Sequence, residues 1–207
     1  MVKKEKTKGT GCLAFTLIGI PLFIIVIILS IMAYTSYNGM VSKEEAVVSQ
    51  WAQVENNYQR RSDLVLNLAE TVKGYATHEQ STLTGVIEAR SKATSVNINA
   101  ENLNSETLQN FQNAQDGLSS ALSRLMVVIE RYPDLKANQG FLKLQSQLEE
   151  IENLILVERN KYNEVAKIYN IYIRKFPKNL FASWFGFETK GYFEAKEGTD
   201  IAPKVQF

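Results

Sequence analysis

The chain offers few residues for covalent or metal chemistry. It holds one cysteine, Cys12, and one histidine, His78. Neither an internal disulfide nor a Cys/His metal cluster can be assembled from them. His78 directly precedes Glu79, and an imidazole beside a carboxylate has the makings of an acid–base pair. On a helix, however, adjacent side chains point about 100° apart and do not face each other. The run Thr77-His78-Glu79-Gln80 reads better as a helix-capping box. Neither a G-x-S-x-G nucleophile turn nor a G-x-x-x-x-G-K-[ST] phosphate loop occurs. The expectation is a protein that is not an enzyme, with no catalytic residue, no cofactor and no metal.

Two other groups of residues carry more information. Arg61 and Glu158 fall at positions where the surrounding pattern calls for apolar side chains, and Asp63 is close to Arg61 in sequence. A buried ion costs several kcal/mol unless it is paired and hydrogen-bonded. Arg61 and Glu158 are therefore expected to meet, with Asp63, in a buried polar network that fixes helix register. A ligand site made of the same three residues and simple snorkelling to the surface are the alternatives. The second group is the run Leu180-Phe181-Ala182-Ser183-Trp184-Phe185-Gly186-Phe187, too apolar and aromatic to be left in water. Phe181, Trp184, Phe185 and Phe187 are the candidates for contact with a membrane or a partner, against packing on the end of the fold. Tyr162-Asn163 and Tyr169-Asn170 repeat at seven residues, which reads as two core tyrosines whose hydroxyls reach the rim.

The elements that position these residues follow from composition and periodicity. With 207 residues, 45% hydrophobic and 22% charged, and only 4 Pro and 11 Gly, the chain is neither disordered nor collagenous nor a disulfide scaffold. No charge occurs between Lys8 and Lys43, and the stretch from Cys12 to Ala33 is almost wholly apolar. That matches the roughly 20 residues a bilayer span requires. It is longer than the apolar region of a cleaved secretory signal, about 7 to 15 residues. The predicted division is a basic N-terminus over 1–11, a transmembrane helix over 12–33, a juxtamembrane linker over 34–41, a helical bundle over 42–176 and an irregular aromatic-rich tail over 177–207.

Lys3, Lys4, Lys6 and Lys8 before the span place the N-terminus in the cytoplasm and the bundle in the periplasm or outside the cell. Of 23 Lys+Arg and 22 Asp+Glu, removing those lysines and Glu5 leaves 19 and 21, a formal charge of −2. Nucleic acid is excluded as a partner by that near-neutral balance. The expected partners are the lipid bilayer, through the span, and an unidentified envelope protein.

Beyond the span, Ser42-Lys43-Glu44-Glu45 reads as a capping box that starts a helix. Val47, Trp51, Val54, Tyr58, Arg61, Val65, Leu68, Val72 and Tyr75 then alternate four and three residues apart, one seam of a coiled-coil-like helix. Gly74 marks a break before a shorter helix with Leu83, Val86, Ile87 and Ala93 inward, followed by a loop near 97–104. A third seam runs Leu108, Phe111, Gln115, Leu118, Leu122, Leu125 and Ile129, ending at Tyr132-Pro133. The fourth runs from Phe141 through Leu144, Leu148, Ile151, Ile155, Glu158, Tyr162, Val165 and Tyr169 to Tyr172. Short connections make neighbours antiparallel. The fold is predicted to be all-α, one transmembrane helix followed by an antiparallel up-and-down four-helix bundle. If the first helix does not break at Gly74, the alternative is three long helices.

A resemblance spans nearly the whole chain. Its residues are Tyr37-Asn38, Gln59-Arg60-Arg61-Ser62-Asp63-Leu64 with Asn67-Leu68, Val72-Lys73-Gly74-Tyr75 with His78-Glu79, and Ala89-Arg90. Further on come Glu158-Arg159-Asn160-Lys161-Tyr162-Asn163, Tyr169-Asn170, Phe176-Pro177, Tyr192-Phe193-Glu194-Ala195 and Pro203-Lys204-Val205-Gln206-Phe207. In their order and spacing these resemble the LemA family of membrane-anchored bacterial proteins. The resemblance implies a four-helix bundle behind one transmembrane helix and an N-terminus outside the cell. The lysines point the other way, and the orientation expected here is theirs. The resemblance names no activity. The expected function is a non-catalytic, membrane-anchored interaction or scaffold module at the cell envelope, with an envelope ligand sensor or an accessory subunit of a membrane complex as the alternative.

Overall fold

The structure is a computed structural model that describes residues 10–76 and 78–194, with side chains from Gly19 onward other than Glu101. The leading lysines, the Cys12 side chain, Thr77 of the second capping box and the tail after Glu194 lie outside the described residues. Regular structure among the described residues is entirely helical: α1 (Thr10–Lys73), α2 (Gln80–Ser95), a 3₁₀ turn at Ala100–Asn102, α3 (Ser105–Ile129), α4 (Pro133–Lys136), α5 (Gln139–Arg174) and α6 (Lys178–Phe185). They form two compact units, one of residues 10–42 with 172–188, the other of residues 43–171 with 189–194.

The second unit is the four-helix bundle. Level contacts fix its topology. At one end Trp51 of α1 meets Phe111 of α3 and Tyr162 of α5. At the other, the Asn138 amide donates to the Tyr75 hydroxyl, and Arg131, just past α3, pairs with Glu79, just before α2. So α1 and α3 run one way and α2 and α5 the other, the predicted up-and-down order. The chain does break after Lys73, with α2 beginning at Gln80, so four helices rather than three long ones build the bundle.

The heptad seams are the core. On α1, Val47, Trp51, Val54, Tyr58, Arg61, Val65, Leu68 and Val72 are buried, as are all seven seam residues of α3 from Leu108 to Ile129. On α5, Phe141, Leu148, Ile151, Ile155, Tyr162 and Tyr169 are buried. Leu144, Glu158, Val165 and Tyr172 of the α5 seam are half-buried, and two predicted inward side chains are exposed. Tyr75 lies just past the helix end and its ring is exposed, and Ile87 is 50% exposed. The narrow inward stripe of α2 is already filled by Leu83, Val86 and Ala93, and Ile87 lies about 100° around the helix from Val86.

Three boundaries also differ from those predicted. Residues 34–41 are helical, so α1 has no start at Ser42 for a capping box to cap. The hydroxyls of Ser30 and Thr35 donate back to the carbonyls of Val26 and Ile31, four residues earlier, and leave the ladder intact. At α2, Glu79 occupies the N-cap without a capping hydrogen bond; its carboxylate instead accepts from Arg131 and the Tyr132 hydroxyl. Part of the tail predicted to be irregular is helix α6, which begins after Pro177 and ends at Gly186. The latter adopts φ 79°, a left-handed cap that favours glycine. The α3 start follows the ordinary rule, the Asn104 side chain accepting from Thr107 N–H at 2.9 Å.

Because Leu122 and Ile151 lie in the bundle core, either Leu122→Asp or Ile151→Asp is expected to cost about 3 kcal/mol or more by burying an unpaired charge. Thermal unfolding followed by circular dichroism reads the loss. Val127→Asp on the same helix α3, at a side chain 72% exposed, should leave the transition nearly where it was.

Candidate functional site

Arg61 is the most constrained polar residue of the bundle, 2% exposed in the middle of an apolar seam. One terminal nitrogen donates to Glu152 Oε1 at 2.8 Å and Ser119 Oγ at 3.1 Å. The other donates to the side-chain and backbone oxygens of Gln115. Gln115 passes the connection on, its Nε2 donating to the carbonyl of Ala93 on α2 at 3.2 Å. The Tyr58 ring lies 5.0 Å from the guanidinium carbon and packs edge-on to Phe111, a cation–π contact in a desolvated place. One polar layer thus joins α1, α2, α3 and α5.

The three residues offered as a network are not brought together. Arg61 is held by Glu152 and not by Glu158. Antiparallel geometry gives the reason: Trp51 is level with Tyr162, and ten residues farther along α1 Arg61 is level with Glu152, ten residues back along α5. Glu158 lies six residues from Glu152, about 9 Å along the helix axis. Its carboxylate accepts from Lys161 at 2.8 Å and from Gln50 Nε2 at 2.6 Å. Those hydrogen bonds, Lys161's first, hold its pKa below the ordinary carboxylate value. Asp63 is exposed and accepts from Gln59, with Arg90 at 3.7 Å; Arg90 Nε also donates to the Ser62 carbonyl. His78 is exposed. Among the described residues no three His, Cys, Asp or Glu side chains gather as a metal set would.

A second polar device was hidden in the Tyr-Asn repeat. The tyrosines are core, but their hydroxyls are buried and do not reach the rim, and burial pushes the Tyr162 hydroxyl far above the ordinary phenol value. The asparagines do something else. Asn163 donates to the carbonyl and accepts from the N–H of Phe193, both at 2.9 Å. Asn170 does the same for Lys190, at 2.8 and 2.9 Å. Asn163 and Asn170 are one heptad apart, about 10.5 Å on a helix, and three extended residues from 190 to 193 span about 10 Å. The spacings match, so one helix face pairs with an extended strap. Gln112 of α3 repeats the pattern with the N–H and carbonyl of Glu194.

The strap completes the core. Phe193 is buried, stacked on Trp51 at 6.1 Å, edge-on to Tyr162 at 5.4 Å and covered by the Arg159 guanidinium at 4.6 Å. Lys190 is buried with its ammonium 2.7 Å from Glu44. The Gly191 N–H donates to the Leu103 carbonyl, and a Cβ at 191 would come within 2.8 Å of the backbone of Asn104 and Ser105. Only glycine lets the two backbones approach so closely.

Between α3 and α5, beside Glu152, an open groove of about 640 Å³ is floored by Leu122, Met126 and Leu148 and rimmed by Ser119, Gln145 and Glu149. In the other unit, Phe185 and Phe187 pack edge-on to Tyr37 of α1, with ring centroids 5.1 and 5.7 Å apart, whereas Trp184 is 81% exposed and Phe181 half-buried.

Sequence reasoning singled out Arg61 but missed its partner. Glu152 lies just off the α5 seam, and the available signal was Gln115, a polar residue in an otherwise apolar α3 seam. Because Arg61 is buried and Glu152 supplies its countercharge, Glu152→Ala is expected to destabilise the bundle by about 1–3 kcal/mol. Adding Arg61→Met should recover most of that, since a well-packed apolar replacement of a buried pair is often neutral. A double-mutant cycle from chemical denaturation measures the coupling; strictly additive losses would show that the two side chains do not act as a pair.

Comparison with known proteins places these features in a family. The chain is 27% identical over 207 residues to magnetosome protein MamQ 2 of Paramagnetospirillum magneticum, covering 87% of this chain and 76% of that one. It is 24% identical to MamQ of Magnetospirillum gryphiswaldense, covering 90% and 78%. It is 23% identical to protein LemA of Metamycoplasma hominis, covering 77% and 69%. The LemA family model matches residues 50–207, a stretch that holds the Arg61 layer, both clamp asparagines and the strap: the chain belongs to the LemA family.

Proposed function

We propose that the protein is a non-catalytic scaffold of the bacterial cell envelope, anchored by α1 and using its bundle to hold another envelope protein. One observation carries this reading. The charged side chains that stood out as chemically capable are engaged within the fold: Arg61 with Glu152, Glu158 with Lys161, Asp63 with Arg90 and Glu79 with Arg131. Their polarity is used for register and closure. What the bundle offers outward is the α3/α5 groove, an apolar floor with an amide and carboxylate rim, and Val127, next in sequence to the groove residue Met126, is exposed. A shallow groove of this composition suits a protein surface. The same groove supports the second reading, an envelope ligand sensor or accessory subunit.

A photoreactive amino acid at Val127, in native membranes, is expected to give a discrete protein adduct, and one at Arg60 none. Absence of any protein adduct at Val127, Met126 and Gln145 would overturn the scaffold reading. A small molecule retained by the purified protein and displaced by Leu148→Trp would favour the sensor.

The proposed orientation has the N-terminus in the cytoplasm and the bundle outside, supported by Lys3, Lys4, Lys6 and Lys8 before the apolar run. Protease added to cells with a permeabilised outer layer and an intact inner membrane is expected to digest the bundle. Digestion confined to the first dozen residues would reverse the orientation.

A further inference from the structure

The unit of residues 10–42 and 172–188 holds an apolar surface that the bundle chemistry does not use. From Ile20 to Ile31 the large apolar side chains of α1 are exposed on every side of the helix, Phe23 at 65% and Ile27 at 42%. A helix apolar all round and uncovered by protein belongs in a lipid core. Tyr37 lies four residues beyond Ala33, where the apolar run ends, about 6 Å farther along the axis. That distance falls within the headgroup layer, which adds about 5–8 Å on each side of the hydrocarbon.

Helix α6 lies at this level. Phe185 and Phe187 pack on Tyr37, and Ala182 is buried. Leu180 and Trp184, one turn apart on α6, point away and are 60% and 81% exposed, as is Phe176 just before the helix at 81%. Three large apolar side chains left open within nine residues make the kind of surface that marks a protein or membrane contact. Close by, the Gly39 backbone meets Tyr172: a Cβ at 39 would come within 1.9 Å of the Tyr172 hydroxyl. The Lys178 ammonium sits 3.6 Å from the centre of the same ring. Arg174, Lys175 and Lys178 thus bring positive charge to the segment entering α6.

We propose that α6 is an interfacial helix, seated in the headgroup layer beside α1 with Phe176, Leu180 and Trp184 dipping into the lipid. The occupant of this face is the bilayer, because α6 packs on Tyr37, four residues past the exposed apolar run of α1, and so stands at the level where that run meets the headgroups. Its composition is that of an interfacial anchor: an indole with one donor, flanking rings and a basic approach. The proposal rests on the reading of α1 as the membrane anchor, and goes beyond it by giving the chain a second, lateral membrane contact.

The test uses the full chain reconstituted in phosphatidylcholine vesicles. The protein has two tryptophans, and Trp51 is buried in the bundle core, so the difference between the natural chain and Trp184→Phe isolates Trp184. In vesicles of lipid brominated near the headgroup end of the acyl chains, the Trp184 emission is expected to lose most of its intensity, while aqueous iodide leaves it largely unchanged. Quenching by iodide and not by brominated lipid would overturn the proposal. So would resistance to both, which would mean that protein, such as a second copy of the chain, covers the face. Flotation of the same vesicles reads α1 separately. A chain that floats while Trp184 ignores brominated lipid defeats the α6 proposal alone, and a chain that fails to float defeats the anchor as well.

Discussion

A guanidinium buried in a helix seam must have its polar partners within reach on the neighbouring helices, and in this bundle Arg61 ties α1 to α3 and α5 through them. Sliding α5 out of this alignment would break the 2.8 Å contact of Glu152 with Arg61 and oblige the buried cation to find another partner, the kind of change that is costly when it leaves a buried ion unpaired. Gln115 extends the requirement to α3, and through the Ala93 carbonyl to α2. The apolar layers above and below tolerate small displacements, because leucine against leucine has no strict partner. The Arg61 layer has specific partners, and its hydrogen bonds are met in the alignment observed.

The strap works by the same logic on the other side of the core. Asparagine and glutamine side chains carry a donor and an acceptor in one plane, as a peptide group does. Asn163, Asn170 and Gln112 therefore stand in for a neighbouring β-strand and satisfy the backbone of 190–194 where no strand is present. A buried extended segment must have its N–H and C=O groups paired. Three amides at the right spacing meet that need and allow Phe193 to close over Trp51.

Legibility followed periodicity. The α1 and α3 seams were readable almost residue by residue, because burial on a helix repeats every three or four positions and no other force competes there. The bundle end of the chain was not readable in the same way. Segment 190–194 has no period, and its place is set by side chains on α3 and α5 that are distant in sequence. Arg61 announced itself as a charge among apolar neighbours, whereas Glu152 did not, since a glutamate beside a seam looks like any solvated residue. At Ser42 a local capping signal lost to cooperativity: once α1 is hydrogen-bonded on both sides, a good N-cap residue has no free N–H to receive. For α6, the aromatic composition drew attention to what the segment touches and concealed that Pro177 and Gly186 bracket a helix.

The strap also bears on the history of the molecule as it is made. Trp51 emerges from the ribosome 142 residues before the ring that covers it, Phe193. Until it arrives the slot between Trp51 and Tyr162 has no ring over it, and the 19 residues from the end of α5 to Phe193 take about 1–4 s at ordinary elongation rates of about 5–20 residues per second. An aromatic opening of that kind is an exposed apolar site for as long as Phe193 is missing, and its closure requires the strap of residues 190–194. A chain that stopped before residue 190 would carry every heptad of the bundle and lack the ring that stacks on Trp51.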